Sequence, residues 1–458
     1  MFRILIPNKL QNTGIKFLQE TKSMNFAQKV IYTSLNYFSK LILWIYFRRI
    51  KVNGKENIPS NASIIAAPNH RNTMIDPVLM TNKLPVWLHF MANYGLFKTK
   101  FTNFLMSKVF FCIPVKRKKD MKEGESVNNL TTIKLCNKIL TNGGSVFMAP
   151  EGTSYRYRRL RPLKDGFVRI ALSAAKRKKF KSNIFVLPIG INYSDPSEFR
   201  SEIVVNIGTP IRLDDFKNLY RKDKNQAAKE IMNNWENQLK TLTTHTENEE
   251  EDLIIERLFI LAQSEGSVQS FEEQLVFENE KTQAVRASED DTTRELWDEL
   301  HHYFTDLEQE NFDDESIIYL QNNSSKLPKR IYPLVLLFGG IPYLIGRLIH
   351  FAWYIPKWIF IRLKLYKGYE TMVKILTGVF ILPMIYSLYG MLLPLLPNNQ
   401  WLFGFGILFI LSAFCLLSFE ELEQKWRYRK NASHSNQLET FKQKRKQLIK
   451  ELRIHKWL

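Results

Sequence analysis

Short apolar runs alternate with helical patterns between residues 50 and 215 of this 458-residue chain. Between these runs, helical patterns fall around Pro77–Thr81, Phe101–Lys108, Asn128–Thr141 and Gly166–Lys179. Strands that alternate with helices predict an α/β fold with a largely parallel or mixed sheet flanked by helices. The six apolar runs of strand length are Ser63–Ala67, Val86–Met91, Val109–Val115, Gly144–Met148, Ile184–Ile191 and Ile203–Ile207.

The pattern changes on both sides of this α/β region. Before it, Val30–Phe47 is apolar and rich in aromatics, is broken by Asn36 and Lys40, and is followed by arginines. This composition predicts a helix that lies in the headgroup region of a membrane, with a core helix as the alternative. After the α/β region, residues 219–327 lose the strand signal and carry acidic runs, which predicts a solvated helical insert.

The last third of the chain is apolar enough to enter a membrane. Val373–Leu396 and Trp401–Phe419 are long enough to cross a bilayer, and a short uncharged turn separates them. Basic residues flank this predicted hairpin, so both of its ends are expected in the cytoplasm. Tyr332–Tyr354 is also apolar but contains Pro333 and Arg347, which favours a re-entrant or interfacial element.

These changes divide the chain into five predicted regions. They are an N-terminal leader and interfacial membrane helix over 1–49, an α/β domain over 50–218, a polar helical insert over 219–327, a membrane domain over 328–422 and a basic cytoplasmic tail over 423–458. We therefore expect an integral membrane protein with its α/β domain on the cytoplasmic face.

Charge and cysteine content limit the possible partners. With 65 Lys and Arg against 45 Asp and Glu, the net charge is +20, which calls for an anionic partner. Nucleic acid and an anionic membrane surface both qualify. The predicted membrane hairpin and the lack of a nucleic-acid-binding motif favour the membrane. The three cysteines have no metal-ligand or CxxC spacing, so neither a disulfide framework nor a metal site is indicated.

A histidine and an aspartate follow the first predicted strand of the sheet. His70 suits proton transfer near neutral pH, and a carboxylate such as Asp76 can fix its tautomer. Their spacing predicts a loop that folds back, with Asp76 as a helix N-cap and Pro77 at the first helical position. In the alternative, Asp76 only caps the helix and His70 is a plain loop residue. No nucleophile elbow lies nearby, which favours direct base catalysis on a substrate hydroxyl.

A second polar cluster follows the strand Gly144–Met148. The turn Pro150–Ser154 contains Gly152, which allows close backbone approach, and arginines downstream suit bidentate phosphate binding. A solvated basic face, or one that contacts anionic lipid, is the alternative. A third basic group, Lys116–Lys119, follows the strand Val109–Val115 and is expected at the same end of the sheet. The downstream cations of the second cluster are Arg156, Arg158, Arg159, Arg161, Lys164 and Arg169.

Four segments in sequence order resemble the motifs of the glycerolipid acyltransferase family. They are Asn69-His70 with Asp76, Phe111–Arg117, Pro150–Thr153 and Val186–Gly190, and the resemblance covers about residues 50–215. It implies an acyltransferase-type sheet in which His70 deprotonates the acceptor hydroxyl for attack on an acyl thioester and Asp76 orients His70. The substrate-binding residues that it implies are Asn69, Arg117, Glu151, Gly152, Thr153, Arg156, Arg158 and Lys164.

One departure from the family pattern concerns the phosphate-binding arginine. Many members continue Glu-Gly-Thr with Arg-Ser, whereas this chain has Ser154-Tyr155-Arg156, which implies displacement of that arginine to Arg156 or Arg158. The continuation Arg161–Gly166 is similar to fungal-type glycerol-3-phosphate acyltransferases, which also carry C-terminal hydrophobic segments.

The resemblance therefore implies a membrane-bound enzyme of phospholipid biosynthesis that acylates glycerol 3-phosphate. The donor is expected to be acyl-CoA or acyl-carrier protein, with no cofactor and no metal. Lysophosphatidate is the alternative acceptor. A basic membrane-anchored binding protein without catalysis is the alternative from another class.

Overall fold

The computed structural model describes most of the α/β region and the helices that follow it. The residues that it describes are 26–116, 129–152, 154, 158–288, 290–322, 343–344, 346–348, 350–364, 369–392, 407, 427–428 and 437–458. They fall into two compact units. The first unit runs to His245 and includes residues 367–371, and the second comprises Thr246–Tyr366 and Met372–Leu458.

An eight-stranded mixed sheet forms the centre of the first unit. Its strands are β1 Arg49–Asn53, β2 Ser63–Pro68, β3 Leu88–Asn93, β4 Cys112–Val115, β5 Ser145–Phe147, β6 Ile184–Tyr193, β7 Glu202–Ile207 and β8 Ile211–Arg212. The order is β1-β7-β6-β2-β5-β3-β4, with β8 paired to β6. The strands from β6 through β4 in this order run parallel, whereas β7 and β8 run antiparallel to β6. The predicted mixed α/β sheet is confirmed.

Most predicted strands form, with shifts at their ends. The strand β4 begins at Cys112 and not at Val109, because Leu105–Val109 continue the preceding helix as a π-helical turn. The edge strand β1 and the two-residue β8 were not predicted. Charged residues interrupt β1, which pairs only with β7, so it lacks the apolar run that marks a central strand.

The described residues of the first unit also form seven α-helices. They are α1 Phe26–Tyr46, α2 Ile75–Lys83, α3 Lys100–Phe104, α4 Leu130–Thr141, α5 Gly166–Arg177, α6 Lys217–Lys222 and α7 Lys224–Leu242. The helix α5 buries Phe167, Ile170, Ala171 and Ala174. Their spacing gives one apolar stripe, which packs into the main core of the first unit.

The helix α7 extends the first unit beyond the boundary predicted at residue 218. Its Trp235 is fully buried, donates its indole N–H to the carbonyl of Ala67 at 2.9 Å, and packs on Phe167 with 4.9 Å between ring centroids. The sequence conceals this role, because the apolar stripe of α7 is narrow and charged residues surround it. Its buried members are Ala227, Ala228, Ile231, Trp235 and Leu239.

The C-terminal end of α7 rests directly on β6. The carbonyl of Leu242 accepts hydrogen bonds from the side-chain amides of Asn192 at 3.0 Å and Asn206 at 2.9 Å. A Cβ atom added to Gly190 would lie 2.2 Å from that carbonyl oxygen. Gly190 therefore permits a contact that any other residue would block.

The N-terminal helix α1 has one buried and one exposed apolar face. Tyr32, Leu43 and Tyr46 are buried against the first unit, whereas Trp44 on the opposite side is 74% exposed. Features of both predicted alternatives, a core helix and an interfacial helix, are therefore present in one element. The other exposed large side chains of α1 are Phe26, Val30, Tyr37, Phe38, Leu41 and Ile45.

The second unit contains a helical bundle with its own core. The bundle contains α8 Glu249–Ser264, α9 Phe271–Ala287, α10 Asp291–Gln309, α11 Asp314–Asn322 and the C-terminal helix Leu438–Ile454. The second unit also includes α12 Ile355–Arg362. The C-terminal helix lies in the predicted basic tail, yet its buried Arg445 donates to Asp314 at 2.8 Å and to Glu265 at 3.0 Å. The predicted tail and the predicted insert thus share one hydrophobic core.

One described helix is long and apolar enough to cross a membrane. It begins as α13 Glu370–Leu376, continues through a π-helical turn at Thr377–Ile381 and ends as α14 Leu382–Leu392. The C-terminal helix Leu438–Ile454 is α15. The segment Glu370–Leu388 of the apolar helix has a mean hydropathy of 1.7 and overlaps the first predicted span, Val373–Leu396. The second predicted span, Trp401–Phe419, lies outside the described residues except for Ile407, as do residues 1–25 and part of Tyr332–Tyr354. The membrane hairpin stays a prediction.

Replacing Gly190 with alanine tests the contact between α7 and β6. The added methyl group would clash with the Leu242 backbone, and overpacking of this kind costs about 1–3 kcal/mol of unfolding free energy. Thermal unfolding in detergent should show a lower Tm. Gly166→Ala is the matched control, because a Cβ there meets nothing within 4 Å. Equal Tm values for the two variants would contradict the close contact.

Candidate active site

Two polar loops meet at the carboxyl edge of the sheet. One follows β2 and carries His70, and the other follows the neighbouring parallel strand β5 and carries Glu151. The backbone N–H of His70 donates to Glu151 Oε1 at 2.7 Å, and the hydroxyls of Thr73 and Ser154 are 2.6 Å apart. The two polar clusters found in the sequence therefore form one site.

Asn69 fixes the point at which the first loop leaves the sheet. Its Nδ2 donates to the carbonyl of Ile191 at 3.0 Å, and its Oδ1 accepts from the N–H of Ile191 at 2.7 Å. The side chain thus extends the pairing of β2 with β6 by one step beyond Pro68. Its geometry supports a positioning role, and the predicted substrate contact of Asn69 stays a prediction.

His70 and Asp76 form a hydrogen-bonded pair. His70 Nδ1 lies 2.8 Å from Asp76 Oδ2, and the aspartate side chain is fully buried. The predicted N-cap role of Asp76 is wrong, because α2 begins at Ile75 with Met74 as its N-cap residue. The side chain of Asn72 accepts from the N–H of Ile75 at 3.3 Å instead, which leaves the Asp76 carboxylate available to the histidine.

Two further donors hold the Asp76 carboxylate. The N–H of Asn72 donates to Oδ2 at 2.9 Å, and the hydroxyl of Tyr193 donates to Oδ1 at 2.5 Å. Burial, and then the nearby charge of Asp76, raise the pKa of Tyr193 well above its ordinary value, so the phenol keeps its proton. Sequence reasoning did not find Tyr193, since an apolar strand end carries no motif.

This network sets the state of the imidazole ring. A carboxylate oxygen only accepts, so the hydrogen-bond network assigns the proton of His70 to Nδ1 and leaves the lone pair on Nε2. The histidine side chain is 11% exposed, whereas that of Asp76 is not exposed at all. The pair can therefore accept a proton from a group at the opening of the site, with the carboxylate stabilising the imidazolium that forms.

Glu151 joins the two loops. Its Oε1 accepts from His70 N, its Oε2 accepts from the N–H of Arg161 at 3.4 Å, and the residue is 6% exposed. Burial raises the pKa of its carboxyl, and the hydrogen bond from the N–H of His70 partly offsets this effect. With both oxygens engaged by backbone donors, Glu151 acts on the loop geometry. Its predicted substrate contact stays a prediction.

A lysine lies over the turn that follows Glu151. Gly152 adopts a left-handed conformation with φ of 69°, and a Cβ atom on it would lie 3.0 Å from Lys164 Nζ. The N–H of Lys164 donates to the carbonyl of Pro150 at 3.1 Å, which holds the exposed lysine beside the turn. Arg158, also predicted to bind substrate, is half-buried downstream.

Three predicted substrate-binding residues, Arg117, Thr153 and Arg156, lie outside the described residues, and their roles stay predictions. Ser154 occupies the position where many family members have arginine and is buried against the loop of His70. Among the residues that the structure describes, no group of three or more His, Cys, Asp or Glu could hold a metal ion.

Removing the Tyr193 hydroxyl tests the carboxylate network. Tyr193→Phe leaves a buried carboxylate with one donor fewer, so we expect a loss of about 1–3 kcal/mol in unfolding free energy. Chemical denaturation measures it. Tyr220→Phe is the control, since its ring packs on Phe180 and its hydroxyl has no hydrogen bond to the described residues. Equal losses in the two variants would contradict the network.

Comparison with known proteins agrees with the motifs. Residues 49–192 match the family model described as Acyltransferase. The 1-acyl-sn-glycerol-3-phosphate acyltransferase of Borreliella burgdorferi is 27% identical over 173 residues, which are 38% of this chain and 62% of that protein. Its counterpart in Bacillus subtilis is 29% identical over 40% of this chain and 84% of that protein.

A fungal enzyme is also similar. Glycerol-3-phosphate O-acyltransferase 1 of Saccharomyces cerevisiae is 29% identical over 124 residues, which are 26% of this chain and 16% of that protein. The chain thus spans less than two thirds of the length of the Borreliella and yeast proteins. The matched residues include β1 through β5, all of β6 except Tyr193, and the site loops that carry His70 and Glu151. Residues 49–192 therefore match an acyltransferase domain, and the relatives to which this chain is similar are glycerolipid acyltransferases.

Proposed function

We propose that this protein transfers an acyl group from a thioester to the hydroxyl of glycerol 3-phosphate at a membrane surface. The observation that carries the proposal is the His70–Asp76 pair, with Nδ1 bound to the carboxylate and Nε2 left to act as the base. The acceptor class is supported by the names of the similar bacterial and fungal enzymes.

The reaction follows from the state of the imidazole. Nε2 of His70 removes the proton of the acceptor hydroxyl as its oxygen attacks the thioester carbonyl carbon, which forms the C–O bond. The resulting tetrahedral intermediate collapses with cleavage of the C–S bond, and the proton on Nε2 passes to the departing thiolate. Asp76 stabilises the imidazolium between these steps and does not itself take the proton. Either acyl-CoA or acyl-carrier protein can supply the thioester, and no cofactor takes part.

Charge placement favours glycerol 3-phosphate as the acceptor. This small, hydrated molecule depends on charged contacts to its phosphate, and Lys164 lies over the turn of Gly152 near the base. In our proposal Arg158, Arg156 and Arg117 add further cations. Lysophosphatidate would need fewer cationic contacts, because burial of its acyl chain contributes about 0.8 kcal/mol of binding free energy for each methylene group.

Lysophosphatidate is the second candidate acceptor. The two bacterial relatives are named for that reaction, and the matched segment covers more of their length than of the yeast enzyme. The same base serves either acceptor, because both present a hydroxyl on a glycerol phosphate. The choice between them therefore depends on the surroundings of the base.

Membrane attachment is proposed from two elements. The exposed apolar face of α1 is followed by Arg48 and Arg49, which suits a helix that lies among anionic headgroups. The helix beginning at Glu370 is long and apolar enough to span a bilayer. With basic residues flanking the apolar segments, we place the acyltransferase domain on the cytoplasmic face, with phospholipid and no nucleic acid as the partner.

Replacing His70 tests the base. His70→Ala should reduce acyl transfer by a factor of about 100 to 10,000, the usual range for losing general-base catalysis. Full-length protein in detergent is assayed with a radiolabelled acyl thioester, and thermal unfolding confirms that the variant folds. His302→Ala, an exposed histidine of the second unit, is the matched control and should keep parental activity. Activity within a few-fold of the parent for His70→Ala would refute the assignment.

Replacing Lys164 tests the acceptor site. Lys164→Gln should raise KM for glycerol 3-phosphate or lower kcat/KM about 10-fold, as expected for losing a charge-assisted hydrogen bond. Lys176→Gln, which removes an exposed charge at the end of α5, should have little effect. Both acceptors are assayed side by side. Robust turnover of lysophosphatidate with none of glycerol 3-phosphate would assign the second acylation step.

A further inference from the structure

A residue from the distant segment 367–371 completes the first unit beside the His70 loop. Thr371 is fully buried, and its hydroxyl donates to the carbonyl of Pro196 at 2.6 Å. The same hydroxyl oxygen accepts from Nδ2 of Asn72 at 2.9 Å. Both partners are separated from Thr371 by more than a hundred residues in sequence, so tertiary structure alone brings them together.

Asn72 connects this hydroxyl to the proposed catalytic pair. Its backbone N–H donates to Asp76 Oδ2 at 2.9 Å, the same oxygen that lies 2.8 Å from His70 Nδ1. Its side chain is also fixed, because Nδ2 donates to the carbonyl of Pro196 at 2.8 Å and Oδ1 accepts from the N–H of Ile75. A continuous series of hydrogen bonds therefore runs from Thr371 through Asn72 and Asp76 to His70.

Losing the Thr371 hydroxyl would leave one of the two side-chain N–H groups of Asn72 without an acceptor. Asn72 is 2% exposed, so water cannot replace the lost acceptor, and an unsatisfied buried donor is costly. The amide can regain a partner only by rotating, and rotation would disturb its bonds to Pro196 and Ile75. The backbone N–H of Asn72 would then lose its alignment with Asp76.

We propose that Thr371 is a positioning residue for acyl transfer, acting through Asn72 on the Asp76–His70 pair. This inference rests on the proposed function, because it assigns His70 as the base. It adds Thr371, the second residue of α13, to the residues that shape the site. We assign Thr371 no direct part in the chemistry, because its hydrogen bond reaches the pair only through Asn72.

Two nearly isosteric replacements separate a positioning role from simple packing. Thr371→Val keeps the side-chain shape and loses the hydroxyl, whereas Thr371→Ser keeps the hydroxyl and loses a methyl group. We expect kcat of the valine variant to fall about 10-fold with KM for glycerol 3-phosphate within about twofold of the parent. The serine variant should retain at least half of the parental kcat. A packing role predicts the opposite order.

A double-mutant cycle tests the route through Asn72. Adding Thr371→Val to Asn72→Ala should lower kcat by less than about twofold further, because the connection is already broken. All variants are full-length proteins in detergent, and thermal unfolding checks their folding. Thr141→Val is the control, since that hydroxyl donates only to carbonyls of its own helix among the described residues.

The outcomes are distinct. Parental kcat for Thr371→Val, a serine variant as impaired as the valine variant, or losses that multiply in the double mutant would each overturn the inference. If the valine variant fails to fold, the comparison of Thr371→Ser with Thr371→Ala decides by the same criteria. A parent protein that acylates neither acceptor would instead overturn the proposed function, and the inference with it.

Discussion

The buried carboxylate of Asp76 is the group on which the rest of the site depends. An ionised carboxylate without solvent costs several kcal/mol unless hydrogen-bond donors surround it. Here the ring of His70, the backbone of Asn72 and the hydroxyl of Tyr193 supply those donors. Two of them come from the loop after β2 and the third from the end of β6. The site is therefore stable only when these two strands are neighbours, as the sheet order makes them.

Glu151, the second buried carboxylate, has a different task because its donors differ. Asp76 meets a side-chain nitrogen that can change its protonation state, whereas Glu151 meets the backbone N–H groups of His70 and Arg161. Backbone donors cannot exchange protons with a substrate, so Glu151 fixes the distance between the two loops. In our proposal, this separation of roles leaves Lys164, which lies beside Gly152, to bind the anionic part of an acceptor.

The sequence predicted the α/β class and the two polar clusters that follow predicted strands, because both depend on local patterns. Apolar runs mark the central strands, and polar residues directly after them fall at one edge of a parallel sheet. The position of Asp76 inside α2 was not predicted, because the side chain of Asn72, and not that of Asp76, accepts from the first N–H group of this helix. The membrane segments and the arginines at 117 and 156 remain predictions from sequence.

The contacts that sequence could not reveal join residues far apart in the chain. Tyr193 lies 117 positions from Asp76, and Thr371 lies 299 positions from Asn72. Neither pair produces a periodic pattern in the sequence, because a single hydrogen bond does not constrain the residue types at neighbouring positions. The burial of Trp235 was not predicted for a related reason, because a single aromatic residue in a helix rich in charged residues has the pattern of a surface residue. Such residues are found only when the fold itself is known.

The return of the chain at Thr371 sets the order in which a nascent polypeptide can complete this site. A ribosome adds the sheet, the His70 loop and α7 well before residue 371, so until then the side-chain amide of Asn72 lacks its Thr371 partner and keeps the carbonyl of Pro196. The last hydrogen bond forms only when the start of the apolar helix has been synthesised. In our proposal, alignment of the histidine base is thereby completed only when the segment proposed to enter the bilayer has been synthesised.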